Sequence, residues 1–153
     1  MKITTETLEE MGACAEQVML FGRLYPNGVN LPDSDPERQA VLDAAVLGEL
    51  DVVWWLKRTG TSGAVRKWDK AGGLVEERHY RGGLLNDPDD GTPAVRQWDK
   101  GGYPVEERHY WRGLLNDPDD GSPALRDWDN GVLYRELHYK DGKERKATNE
   151  NHN

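Results

Sequence analysis

The stretch Arg81–Tyr110 (RGGLLNDPDDGTPAVRQWDKGGYPVEERHY) is followed at once by Trp111–Tyr139 (WRGLLNDPDDGSPALRDWDNGVLYRELHY), which is nearly the same text again. Gly83–Gly91 and Gly113–Gly121 are identical. Ala64–Tyr80 matches Ala94–Tyr110 except at Lys67/Gln97, Ala71/Gly101, Gly73/Tyr103 and Leu74/Pro104. Two full copies and one half copy therefore fill the chain from about Thr61 to Lys143. Self-similarity at a period of about thirty residues marks a stacked or meandering array, in which no unit buries its apolar face alone.

Within a unit, Ala94–Asp99 and Val105–Tyr110 read as two strands joined by Lys100-Gly101-Gly102, where glycine supplies positive φ. In the last copy the joint tightens to Asp129-Asn130-Gly131, a strong hairpin signal. Side chains alternate across a sheet, so Ala94, Arg96 and Trp98 share one face and Val95, Gln97 and Asp99 the other. Neither face is purely apolar. A single-layer or strongly curled antiparallel meander of about six strands, carrying aromatic and arginine ladders, is predicted in preference to a two-layer sandwich.

Ahead of the array, residues 1–60 read as a small helical module. Thr4-Thr5-Glu6 is a helix start, and Leu8, Met11, Ala15, Val18 and Phe21 recur at helical spacing, with Gly12 dividing a short helix from a longer one. Ser34-Asp35-Pro36-Glu37 starts a helix that runs to Leu47 and stops at Gly48. Asp51 caps another, which carries Trp54 and Trp55 and ends at Gly60. The fold class expected is α+β, with the helical module at 1–60, the hairpin array at 61–143 and a disordered tail at 144–153.

The repeat resembles the MORN-like family of β-hairpin repeats. Asp90-Gly91-Thr92-Pro93-Ala94, Trp98, the Gly101-Gly102 turn, Tyr110 and Gly113 match its pattern, and they recur as Asp120-Gly121-Ser122-Pro123-Ala124, Trp128, Asn130-Gly131, Tyr139 and Gly142. The chain inserts Thr or Ser between Gly and Pro and lacks a strict Tyr-x-Gly-x-Trp, so the lipid association ascribed to some members is not implied. That family also includes repeats described as antitoxins. Gly12–Gly28 (GACAEQVMLFGRLYPNG) resembles a short N-terminal module found on uncharacterised phage and prophage proteins.

The net charge of −8 opposes binding to nucleic acid or to an anionic membrane and favours a partner with a basic surface. Cys14 is the only cysteine, so no internal disulfide can form. The longest apolar run, Val52–Leu56, is far below the roughly 20 residues that span a bilayer. A soluble, cytoplasmic protein is expected.

The acidic loop Asn86–Gly91, repeated at Asn116–Gly121, invites a calcium reading, but Pro88 and Pro118 occupy a position where an EF-hand needs an oxygen ligand. The loops read as solvated turns with local hydrogen bonds, or as docking sites for a basic surface. His79, His109 and His138 hold one position in successive copies; in a meander they lie roughly 9 to 10 Å apart, too far to share an ion. Packing is their expected role. Residues recurring in every unit are what an array needs to stack, whereas catalysis needs different groups converging on one point. No cofactor, metal site or enzymatic activity is expected.

The expected function is a non-catalytic protein-binding module. Trp111 is its prime contact residue, because the matching positions hold Arg81 and Lys140 and the array does not require an aromatic ring there. Asp87, Asp89, Asp90, Asp117, Asp119 and Asp120 form the acidic candidates, with Arg96 and Arg126 beside the repeated tryptophans. The phage-like N-terminus and the acidity fit an inhibitor of a host defence complex, such as an anti-CRISPR that blocks or mimics nucleic acid. The alternative is a self-assembling or antitoxin-like repeat protein whose exposed sheet edges pair between copies.

Overall fold

The structure, a computed structural model, describes residues 1–146 of the chain. Helix α1 (Thr5–Glu10) starts at Thr4, whose hydroxyl accepts from the Thr7 N–H while the Thr7 hydroxyl oxygen accepts from the Thr4 N–H. This reciprocal capping box satisfies two of the donors that every helix start leaves open. Helix α2 (Ala15–Leu24) follows Gly12, and α3 (Asp35–Leu47) carries Pro36 in its first turn. Helix α4 (Val52–Thr59) is capped by the Asp51 carboxylate, which accepts from the Trp54 N–H at 3.0 Å, and it ends at Gly60 with φ 70°. Two strands were not anticipated: β1 (Lys2–Ile3) and β2 (Val29–Asn30) pair antiparallel and bury Ile3 beneath the helices. At two residues each they leave no alternation to read.

The array contributes β3 (Gly63–Trp68), β4 (Leu74–Arg81), β5 (Leu84–Leu85), β6 (Val95–Trp98), β7 (Pro104–Arg108), β8 (Tyr110–Trp111), β9 (Leu114–Leu115), β10 (Leu125–Asp129), β11 (Val132–Lys140) and β12 (Lys143–Arg145). The main sheet is antiparallel, ordered β12-β11-β10-β7-β6-β4-β3, with β5 against β4 and β8 paired to β9. The fold class is thus α+β, with the six long strands in the predicted meander. The tail boundary is corrected. Residues Lys143–Arg145 pair with His138–Lys140, so Glu144 and Arg145 belong to the sheet; Lys146 follows outside any strand, and 147–153 of the predicted tail lie outside the described residues.

One buried cluster joins the two parts: Phe21, Leu42, Trp55 and Leu56 of the helices pack with Val65 and Tyr80 of the first hairpin. The Phe21 and Trp55 rings meet edge to face at 5.6 Å. The outer edge of β3 is closed by α3. The Gln39 side chain donates to the Ala64 carbonyl at 2.7 Å and accepts from its N–H at 2.8 Å, so one amide satisfies a stretch of edge as a neighbouring strand would. A neighbouring strand is therefore blocked from the Ala64 backbone. Helix α4 approaches the first unit at Gly83 (φ 82°), which lies against the Leu56 carbonyl; the equivalent Gly113 and Gly142 lie instead against the Leu84 and Leu114 side chains.

Beyond this core the sheet buries Ala94, Val95, Ala124 and Leu125 and arranges its charges in register. Arg66, Glu77, Arg96, Glu107, Arg126 and Glu136 stand directly opposite one another across six successive strands, an alternating ladder on one face. Opposite charges facing each other across strands stabilise such pairs, and within this ladder every neighbour is of opposite sign. Each hairpin shifts register before its tryptophan, at Lys67/Trp68, Gln97/Trp98 and Asp127/Trp128. Units therefore pair with one another over short segments only, Glu76–Arg78 with Val95–Gln97 and Glu106–Arg108 with Leu125–Asp127.

Candidate protein-binding groove

Such short pairing needs a second fastening between units, and the acidic loops supply it. In Asp87, Oδ1 accepts from the Ala94 N–H at 2.8 Å and the Tyr110 N–H at 3.0 Å, while Oδ2 takes the His109 Nδ1 at 2.6 Å. The neighbouring Asn86 accepts from the Arg112 N–H at 2.7 Å and donates to the Asp87 carbonyl. The second loop repeats the arrangement on the following unit. Asp117 accepts from Ala124 N–H, Tyr139 N–H and His138 Nδ1, and Asn116 from the Asp141 N–H. Carboxylates that accept several N–H bonds are strongly held. This Asn-Asp pair is a latch from one unit to the next: of the six acidic candidates, Asp87 and Asp117 are the two whose carboxylates are taken up by hydrogen bonds to the following unit. The histidines have their place explained as well, since His109 and His138 are the catches on which the latches close.

The rest of each loop faces outward. Asp90 is a local turn carboxylate, held below the usual range by the Thr92 N–H and then by the Thr92 side chain; Asp120 is held low by the Ser122 side chain and N–H. Both stay charged. The side chain of Asp89 is 91% exposed and meets only Arg81, itself at the surface. Asp119 is exposed.

Between the two loops lies an open groove of about 520 Å³. Asp89, Asp119 and Asp120 line it together with Arg81, Tyr110 and Trp111, while the latched Asp87 and Asp117 form part of its floor. Trp111 is 48% exposed and its ring is backed by the Arg112 guanidinium at 5.3 Å, which fixes an apolar surface among carboxylates. The structure thus brings Trp111, Asp89, Asp119 and Asp120 to one place. Arg81 was missed as a lining residue; the tandem repeat is the signal that places the end of one unit beside the loop of the next.

Arg96 and Arg126 lie elsewhere. Both belong to the charge ladder, Arg96 donating to Glu77 at 2.6 Å and stacking over Trp98 at 5.2 Å, and Arg126 pairing with Glu136 at 3.5 Å. Glu77 is the most heavily engaged rung, bonded by His79 at 2.9 Å, Arg96, and Arg66 at 2.9 Å. Its carboxyl is held far below the ordinary range, first by the His79 hydrogen bond and then by those of Arg96 and Arg66, which outweigh the opposing effect of burial. Among the described residues, no group of three or more His, Cys, Asp or Glu side chains is placed to hold a metal ion. No described helix is long and apolar enough to cross a membrane. No family model, curated protein or solved structure matches this chain.

Proposed function

We propose that this protein is a non-catalytic binding module that takes a basic surface of a partner protein into the groove between its acidic loops, with Trp111 as the apolar anchor. The observation that carries this reading is the convergence of Trp111 with Asp89, Asp119 and Asp120 on one groove. Trp111 has no counterpart in the neighbouring units, so its ring is surplus to the array. Aromatic rings in partly desolvated settings dominate binding energy, and complementary charge governs how fast partners meet. The repeated residues Asn86, Asp87, Glu77 and His109 have structural work within and between units, which supports a non-catalytic role. In the wider form of the proposal, the partner is a nucleic-acid-binding complex of host defence, and the acidic groove occupies its basic surface as an anti-CRISPR inhibitor would. The net charge of −8 supports that extension.

The test is affinity capture from a host lysate with the wild-type chain and Trp111→Ala side by side, followed by competition with nucleic acid. A basic protein retained by the wild type, lost with Trp111→Ala and displaced by its own nucleic acid is the expected result. Equal retention by both chains would remove Trp111 and the groove from the function.

A further inference from the structure

The charge ladder stops at β11 with its last rung half used. In the interior, the trio Glu76–Arg78 of β4 receives Val95–Gln97, and Glu106–Arg108 of β7 receives Leu125–Asp127, each time with an arginine opposite the central glutamate. The equivalent trio on β11 is Arg135–Leu137. Its inner side pairs with β10, but among the described residues no strand meets its outer side, because β12 reaches only His138–Lys140. Glu136 is left 43% exposed with Arg126 at 3.5 Å, whereas the interior Glu77 holds three partners. Beside it, Val132 and Tyr134 are exposed.

We propose that the outer edge of β11 at Arg135–Leu137 accepts an extended segment of a partner protein reading apolar–Arg–acidic, which joins the sheet antiparallel as a further strand. The pattern follows from the register: an apolar residue stands against Leu137, an arginine against Glu136 and a carboxylate against Arg135. Adding a strand to an open edge gives affinity through main-chain bonds and specificity through alternate side chains. A second copy of this chain does not fit as donor. Its segments of related pattern are Val65-Arg66-Lys67, which follows the Ala64 backbone already taken by Gln39 and whose Lys67 would face Arg135, and the interior segments Val95-Arg96-Gln97 and Leu125-Arg126-Asp127. The site is separate from the acidic groove and does not depend on it.

The experiment titrates the full-length, isotope-labelled chain with a synthetic peptide copying Ser122–Asp129 (SPALRDWD), followed by amide chemical shifts up to about 1 mM peptide. Shifts should move first at Arg135–Leu137. Replacing the peptide's arginine with glutamate should weaken binding about tenfold, since the new pair is repulsive, and Glu136→Arg in the protein should restore it for that altered peptide. The peptide exchange on the unaltered protein decides the matter even if Glu136→Arg fails to fold. No shift at β11, or affinities indifferent to the charge exchange, would overturn the proposal. Self-association abolished by Glu136→Arg would also overturn it, by assigning the edge to a second copy.

Discussion

Asp87 and Asp89 stand two residues apart in one acidic loop, and removing them should have very different consequences. Asp87→Ala deletes an acceptor that binds the Ala94 N–H, the Tyr110 N–H and His109 Nδ1. A buried donor left unpaired costs about 1–3 kcal/mol. The Asp87 side chain keeps 17% exposure, so water recovers part of the loss, and we expect a net destabilisation of about 3–5 kcal/mol. Small domains have about 5–15 kcal/mol in total, so this takes a large share. Asp89→Ala deletes one exposed ion pair with Arg81, worth about 0–1 kcal/mol. Asp87→Asn keeps an oxygen for the two backbone donors and alters only the contact to His109, so it should fall between, at about 1–2 kcal/mol. Urea unfolding followed by tryptophan fluorescence measures all three. Equal midpoints for Asp87→Ala and Asp89→Ala would refute the latch.

Three further outcomes are expected. Because the Glu77 carboxyl titrates lower in the folded chain than in the unfolded one, its contribution is complete above about pH 5 and is lost as pH falls through the ordinary glutamate range and below; thermal melts should show Glu77→Gln less stable at neutral pH with a flatter acid limb than wild type. Gly83→Ala places a Cβ 2.7 Å from the Leu56 carbonyl at a φ of 82° and should cost more than about 2 kcal/mol, whereas Gly91→Ala, at the same φ with nothing within 4 Å, should cost about 1 kcal/mol, both read by chemical denaturation. Gln39→Ala strips Ala64 of both backbone partners and should lower stability by about 1–3 kcal/mol while promoting association through the uncovered β3 edge, seen by light scattering.

Local signals in the sequence were sufficient for the helices and hairpins. Asp51 and Gly60 bracket α4 as capping chemistry requires, and Asn130-Gly131 (φ 49° and 80°) makes the tight joint that its residues favour. The alternation of Arg96 with Val95 and Gln97 already implied a charged sheet face. What local pattern did not disclose was the latch, because the His109 and Tyr110 partners of Asp87 lie 22 and 23 residues further along the chain and an Asp-Pro-Asp-Asp run resembles solvated punctuation. In the last copy Arg145-Lys146 stands where the earlier copies have Asn-Asp, so the pair is not a fixed requirement of the strand that precedes it. Glu144 and Arg145 of β12 read as tail because Lys143-Glu144-Arg145 is wholly charged and has neither alternation nor apolar content. Its pairing comes from its place in the repeat, which is that of β5 and β9.

The central claim, that the acidic groove recruits a basic partner, is tested most directly by the association rate of the captured partner with wild type and with Asp89→Asn/Asp119→Asn/Asp120→Asn, measured at low and high salt. These three carboxylates are exposed and lie outside the latch, so the variant should fold as the wild type does. Association should slow by about tenfold at low salt, and the difference should vanish once salt screens the groove. Equal rates at low salt would contradict the claim and leave the loops as latches alone.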